Sequence, residues 1–225
     1  WELALRGLRH CRDVGLTVGL RFTLSRPTLP HLPAVLDLME TEGVHRGYVS
    51  HLVYVGRANR LAGFALSPAA TRAAVETILD RAESLHARGV PLDLVTGNSD
   101  ADGVFLLLRA RQRHPGQAPV VLDLLNRRGG NSAGRSIANV DDCGEVHPDQ
   151  FWQHHSLGNI RSRPFGEIWG DPDQPLLARL RNRRAHIHGR CAGCPLFDAC
   201  GGGSRVRAEA LTGDLWASDP ACYLT

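Results

Sequence analysis

The chain has 225 residues, 43% of them hydrophobic, with 26 basic and 23 acidic side chains and a formal charge of +3. That supplies one large core or two modest ones, and no apolar run approaches the ~18 residues of a membrane-spanning helix. The small, scattered positive charge also excludes a strongly basic nucleic-acid surface. All 26 basic residues are Arg. A GC-rich genome explains most of that bias. The exceptions worth following are Arg205 and Arg207, because Arg forks grip carboxylates and phosphates in two-point fashion.

The first residues, Trp1-Glu2-Leu3, show neither an initiator Met nor a charged-then-apolar signal pattern. The sequence therefore reads as a cytoplasmic chain whose natural N-terminus is missing. Leu3, Leu5, Leu8 and Cys11 share one helical face, with Cys11 expected to be a small buried hydrophobe, and Gly15 closes that helix. Leu16, Val18, Leu20, Phe22 and Leu24 then alternate with polar residues, as in a strand. Leu32, Val35, Leu36 and Met39 resume helical spacing up to Gly43. Tyr48 to Val55 predicts a second strand. Ser67-Pro68 opens a helix with Ser as N-cap and Pro in the first turn, and its apolar stripe runs to Gly89. Pro91 to Val95 predicts a third strand, followed by a Gly97-Asn98-Ser99-Asp100 turn and a helix over roughly 103–113. One more apolar segment, Pro119 to Leu125, has helical spacing.

This βαβαβα order predicts an α/β fold with a parallel sheet and covering helices. Three units are too few to close an eight-stranded barrel, but they fit the second half of a six-unit partial barrel. After Arg127-Arg128-Gly129-Gly130 the apolar runs shorten, and Gly, Asp, Asn, His and Pro become frequent. Two domains are expected, 1–125 and 126–225. The second has a thin core and would rely on a metal centre to fold.

Four of the six cysteines fall in the last 35 residues, as Cys191-x2-Cys194-x5-Cys200-x21-Cys222. Thiolates are soft donors that select zinc, copper(I) or iron–sulfur clusters, and nothing else suggests a disulfide framework. A zinc site usually shows two close Cys pairs, and the second pair is absent here. Spacing alone leaves zinc and iron–sulfur open.

The run from Cys191 through Cys200-Gly-Gly-Gly-Ser204 resembles the C-terminal auxiliary-cluster (SPASM) domain of radical S-adenosylmethionine (SAM) enzymes. Further stretches resemble, in order, the radical SAM proteins of haem d1 biosynthesis (the NirJ group): Val18 to Leu24, Ser50 to Arg57, Gly97 to Val104, Arg128 to Ser132, Val146 to Trp152, and Arg205 to Glu209 through Asp219 to Leu224. Two positions depart from a full SPASM pattern, with Ser204 and Asp149 standing where that family has cysteines. The resemblance implies one auxiliary four-iron four-sulfur cluster on Cys191, Cys194, Cys200 and Cys222. With all four irons ligated, electron transfer or a structural role is expected of it. Radical SAM chemistry also needs a Cys-x3-Cys-x2-Cys loop for a second such cluster that binds SAM. That spacing does not occur in these residues, so this polypeptide alone is expected not to cleave SAM.

The same resemblance implies a C-terminal half of a partial (βα)6 radical SAM barrel followed by a small, irregular, cysteine-rich α+β domain. It implies an enzyme removing propionates from an iron-bound, sirohaem-derived tetrapyrrole, with a partner protein as electron donor; from charge and hydropathy, no nucleic acid or membrane partner is expected. Candidate SAM contacts are Arg21 and Thr23 on one strand face, Ser50, and the turn residues Gly97 and Asn98. His51 reads as a core histidine. Arg205 and Arg207 are candidates for the substrate carboxylates, and His147 and Asp149 for proton delivery. Rival readings are a porphyrin propionate decarboxylase, a peptide maturase and, from another class, a zinc-binding interaction module.

Overall fold

A computed structural model describes residues 1–224, apart from the side chains of Arg57 and Asn59. The chain forms two compact units. The first comprises Trp1–Leu52, Leu61–Asp102 and the C-terminal residues from Tyr223; the second comprises Val53–Arg60 and Gly103–Cys222.

In the first unit, α1 (Glu2–Asp13) leads into β1 (Gly19–Leu24), α2 (Leu32–Thr41), β2 (Arg46–His51), α3 (Pro68–Ala87) and β3 (Asp93–Gly97). The three strands pair in parallel in the order β1-β2-β3, as the alternation of strand and helix patterns predicts. Leu32, Leu36 and Met39 recur at helical spacing on the buried side of α2. They pack with Val18, Leu24, Val49 and Ile78 into one core. Ser67 caps α3 by accepting the Ala70 N–H at 3.2 Å. The second predicted strand is shorter than expected: it ends at His51, and the chain turns into a 3-10 segment at Gly56–Phe64. Cys11 is exposed, contrary to the expectation of burial, and α1 buries no residue fully.

The register places Arg21 beside Tyr48, Thr23 beside Ser50, and Ser50 beside Gly97. Parallel neighbours in register point to the same face, so these residues form one polar face, opposite Leu20, Phe22 and Leu24. The Arg21 guanidinium lies 4.9 Å from the Tyr48 ring centroid, a cation–π contact. Thr23 Oγ1 and Ser50 Oγ are hydrogen-bonded at 3.0 Å.

The second unit holds most of α4 (Ala101–Arg113) and all of α5 (Ala118–Arg128). The expected boundary near residue 126 thus differs from the observed division between Asp102 and Gly103. The reason is nonlocal packing: Leu107, Ala110 and Ala118 bury against one another, with Leu196 of the cysteine segment packed on them. Then β4 (Asn139–Val140), β5 (Glu145–His147) and β6 (Gly158–Asn159) make a small antiparallel sheet. It is followed by α6 (Phe165–Gly170), α7 (Pro175–Arg181), α8 (Phe197–Cys200) and α9 (Arg205–Thr212). Val53, Trp152, Leu180, Cys191, Phe197, Val206 and Trp216 share the main core of this unit. Among the described residues, no helix is long and apolar enough to cross a membrane.

Gly97 leaves room for the Tyr48 ring, since a Cβ there would stand 1.8 Å from the Tyr48 hydroxyl. Gly97→Ala is expected to cost about 1–3 kcal/mol by overpacking. In a Tyr48→Ala background the same change should cost far less, and a urea double-mutant cycle measures the difference.

Candidate metal centre

The cysteine segment is built almost entirely from turns. Cys191 closes a single 3-10 turn, Gly189–Cys191, and its N–H donates to Ser218 Oγ at 2.9 Å. The Cys194 N–H returns to the Cys191 carbonyl at 3.2 Å. Cys200 is the last residue of α8, and three glycines follow it with φ of +62°, +80° and +75°. A run of left-handed residues is open to glycine alone at tolerable cost. Space forbids a side chain as well: a Cβ on Gly202 would stand 2.5 Å from Ile187, and one on Gly203 2.5 Å from Asp219. The Gly202 N–H donates to Cys200 Sγ at 3.4 Å. Further on, the Cys222 N–H donates to the Asp219 carbonyl at 3.2 Å.

None of the six cysteines is in a disulfide; Cys191 is buried, and Cys194, Cys200 and Cys222 are half-buried. Tetrahedral zinc at a Zn–S distance of about 2.3 Å would hold its thiolates about 3.8 Å apart. Among the described residues no three of these thiols lie within 4.8 Å of one another. Soft donors and the close backbone approach that the glycine turns allow fit a thiolate-held metal or a four-iron cluster, whose thiolates bind separate irons.

The segment is held by buried charge. Arg205 is 0% exposed and donates to the carbonyls of Gly202, Gly203, Leu215 and Ala217. Burial lowers its pKa, partly offset by Asp219 and by the thiols of Cys191 and Cys200. Arg207 is 1% exposed and grips Asp219 with both ends of its fork, Nε to Oδ1 at 2.8 Å and Nη2 to Oδ2 at 2.7 Å. Asp219 also accepts the N–H groups of Ser204 and Ala221. Burial pulls the Asp219 pKa up, but Arg207 and those N–H groups pull harder and leave it below the ordinary value. The expectation that Arg205 and Arg207 grip substrate carboxylates is therefore corrected. The geometry gives both guanidiniums internal acceptors, and burial puts neither at a surface.

His147, on β5, is 2% exposed. Its Nδ1 donates to the His155 carbonyl at 2.9 Å, and its Nε2 lies 3.4 Å from Asp141. Asp149 is buried and accepts the Phe151 N–H at 2.9 Å. Burial raises its pKa. Asn98 is the one non-glycine residue with positive φ among those described, and it donates to the His51 carbonyl at 3.3 Å. Cys143 sits exposed in a turn where Asp141 takes its N–H. One network escaped sequence reading. His51 Nε2 bonds Asp102 Oδ2 at 2.8 Å, and the Tyr223 hydroxyl donates to Asp102 Oδ1 at 2.8 Å. All three are buried, and His51 is the core histidine expected of it.

Residues 132–195 match SPASM, an iron–sulfur cluster-binding domain. The matched span contains Cys191 and Cys194, while Cys200 and Cys222 lie beyond it. The whole chain is 46% identical to pre-heme d1 synthase of Dinoroseobacter shibae, covering 56% of that protein. It is 44% identical to Fe-coproporphyrin III synthase of Methanosarcina barkeri, covering 57% of it. The chain thus spans somewhat over half the length of these relatives. Among solved structures, Streptococcus suis SuiB bound to its precursor peptide SuiA aligns with a TM-score of 0.68 at 16% identity, over 98% of this chain and 48% of SuiB. That likeness concerns the fold alone.

The Asp219 contribution is present above the ordinary carboxylate pKa of about 3.9. It is lost as pH falls through the depressed folded value. Asp219→Asn leaves Arg207 buried without its counter-charge and is expected to destabilise the second unit by about 3–5 kcal/mol at pH 7. Urea unfolding at pH 7 and near pH 3 should show the deficit shrinking in acid.

Proposed function

We propose that this chain is part of a radical SAM enzyme that acts on an iron-bound tetrapyrrole and removes propionate side chains from a sirohaem-derived substrate. The observation that carries the reading is the alignment, end to end, with two tetrapyrrole synthases at 44% and 46% identity. Those two identities are nearly equal, so they support the tetrapyrrole class more than either product. The peptide-maturase alternative has a solved relative bound to a precursor peptide, but at 16% identity that likeness concerns the fold.

In this reading Cys191, Cys194, Cys200 and Cys222 hold one auxiliary four-iron four-sulfur cluster, which supplies electron transfer or structural support when bound. The polar face of Arg21, Thr23 and Ser50, with Gly97 and Asn98 at the end of β3, is the candidate for SAM contact. Polar groups at the C-terminal ends of parallel strands are where such folds place their ligands. Asp149, whose pKa burial raises, is the candidate for proton delivery. His147 has its ring nitrogens committed locally and supports that segment.

The test has two parts. The chain, purified anaerobically and reconstituted with iron and sulfide, is expected to hold about four irons and four sulfides, with broad visible absorbance that bleaches on reduction. Cys200→Ala should lose the cluster, and the intact cluster-loaded chain should release no 5′-deoxyadenosine from SAM. One tightly held zinc without sulfide would establish the rival zinc module instead. Mass spectrometry of the full-length enzyme's product then separates loss of whole propionates from loss of carbon dioxide alone.

A further inference from the structure

Away from the cysteines, a second set of ligand atoms converges in the same unit. His154 Nε2 lies 3.1 Å from Glu209 Oε2, and His155 Nε2 lies 2.9 Å from Glu209 Oε1. All three ligand atoms fall within 4.8 Å of one another. We propose that His154, His155 and Glu209 bind a divalent first-row transition cation, a site separate from the four-cysteine centre.

The donor set is the first argument. Two imidazoles and a carboxylate suit zinc, iron(II) or nickel rather than calcium or magnesium. Metal–ligand bonds of about 2.1 Å put neighbouring ligand atoms about 3.0 Å apart at right angles and about 3.4 Å apart in a tetrahedron. The His154 separation of 3.1 Å falls at the short end of that range, and the His155 separation of 2.9 Å lies just below it.

Pre-organisation is the second. Trp152, 0% exposed, meets the His155 ring edge-on at 5.2 Å. The His155 N–H donates to the Trp152 carbonyl at 3.2 Å, and the His155 carbonyl accepts from His147. On the opposite side, Glu209 belongs to α9, whose first turn is fixed by the buried Arg205 and Arg207 and by the Ser204 cap. The His154 ring stacks at a tilt on His155, with centroids 4.3 Å apart. The His154 side chain is 61% exposed, so packing alone gives little reason for it to turn toward Glu209. An exposed ion pair contributes only about 0–1 kcal/mol. A shared cation explains why neighbouring imidazoles both turn to one carboxylate.

Access is the third. His154 lines a cavity of about 480 Å³ with Tyr54, Phe151, Gln150 and Ala210, the residue after Glu209. Three protein donors leave at least one position on the cation for water or an outside ligand. Two neutral imidazoles and one carboxylate leave the bound site with a net positive charge, which favours an anionic oxygen donor such as a carboxylate.

The test uses the chain already loaded with iron and sulfide, dialysed against micromolar zinc, with zinc and iron counted together. The expected result is one added zinc per chain with the iron retained. Glu209→Gln and His155→Gln should each weaken zinc uptake by more than about tenfold while keeping the iron and the far-UV dichroism of the parent. His154→Gln should do the same. Zinc uptake that survives Glu209→Gln, zinc that enters only as iron leaves, or no uptake at micromolar zinc would each overturn the proposal. The iron count reports the cysteine centre separately, so neither result depends on the tetrapyrrole reading.

Discussion

The Asp219 carboxylate is the interaction on which the cysteine segment depends. It accepts the Ser204 N–H just after the glycine run, both ends of the Arg207 fork, and the Ala221 N–H just before Cys222. A single buried anion thus joins the stretch that follows Cys200 to the stretch that precedes Cys222. Cys222 stands 22 positions beyond Cys200 in sequence. Without such a tie, loop-closure entropy would keep the last thiol away from the others. Arg205 does the complementary work by drawing the carbonyls of Gly202, Gly203, Leu215 and Ala217 around one guanidinium.

Burying two Arg side chains is a costly way to build a domain, since each charge must be stripped of water. The local structure explains why it is used here. The cysteine segment contains a four-residue helix, single 3-10 turns and three successive left-handed glycines, so many backbone carbonyls lack partners within regular elements. A guanidinium offers five donors in a fixed fork and satisfies several carbonyls at once. Apolar side chains of the same size would leave those carbonyls buried and unpaired. Hydrophobic packing remains, through Trp152, Phe197, Val206 and Trp216, but it does not supply the hydrogen bonds that irregular backbone needs.

Much of this architecture was legible from the sequence because it rests on local rules. Period-two alternation located β1, the Ser67-Pro68 cap located α3, and Cys spacing with the Gly201–Gly203 run marked out the cysteine segment. The polar face of Arg21 and Thr23 was legible for the same reason, since residues two apart share a strand face. What failed was nonlocal. Arg205 and Arg207 look alike on paper whether they meet a substrate or a carbonyl, and only the fold shows where their donors go. Asp102 lies 51 residues from His51 and 121 from Tyr223, so no spacing rule joins them. The end of β2 at His51 was also hidden, because Val53 and Tyr54 look like strand residues but are buried in the second unit.

α9 gives the last connection. Its cap and first turn carry Ser204, Arg205 and Arg207, which fix the cysteine segment, and its second turn carries Glu209, opposite the His154–His155 pair. A helix of eight residues is too short to stand alone in water, so its position is set by what holds its beginning. Ligation of the cysteines and the Asp219 tie favour the same folded arrangement of that beginning. Metal binding that is coupled to folding stabilises every contact the folded segment makes. If the four cysteines hold a cluster, the Glu209 carboxylate would be presented to the two imidazoles most firmly when that cluster is bound, and linkage would require the converse at the proposed cation site.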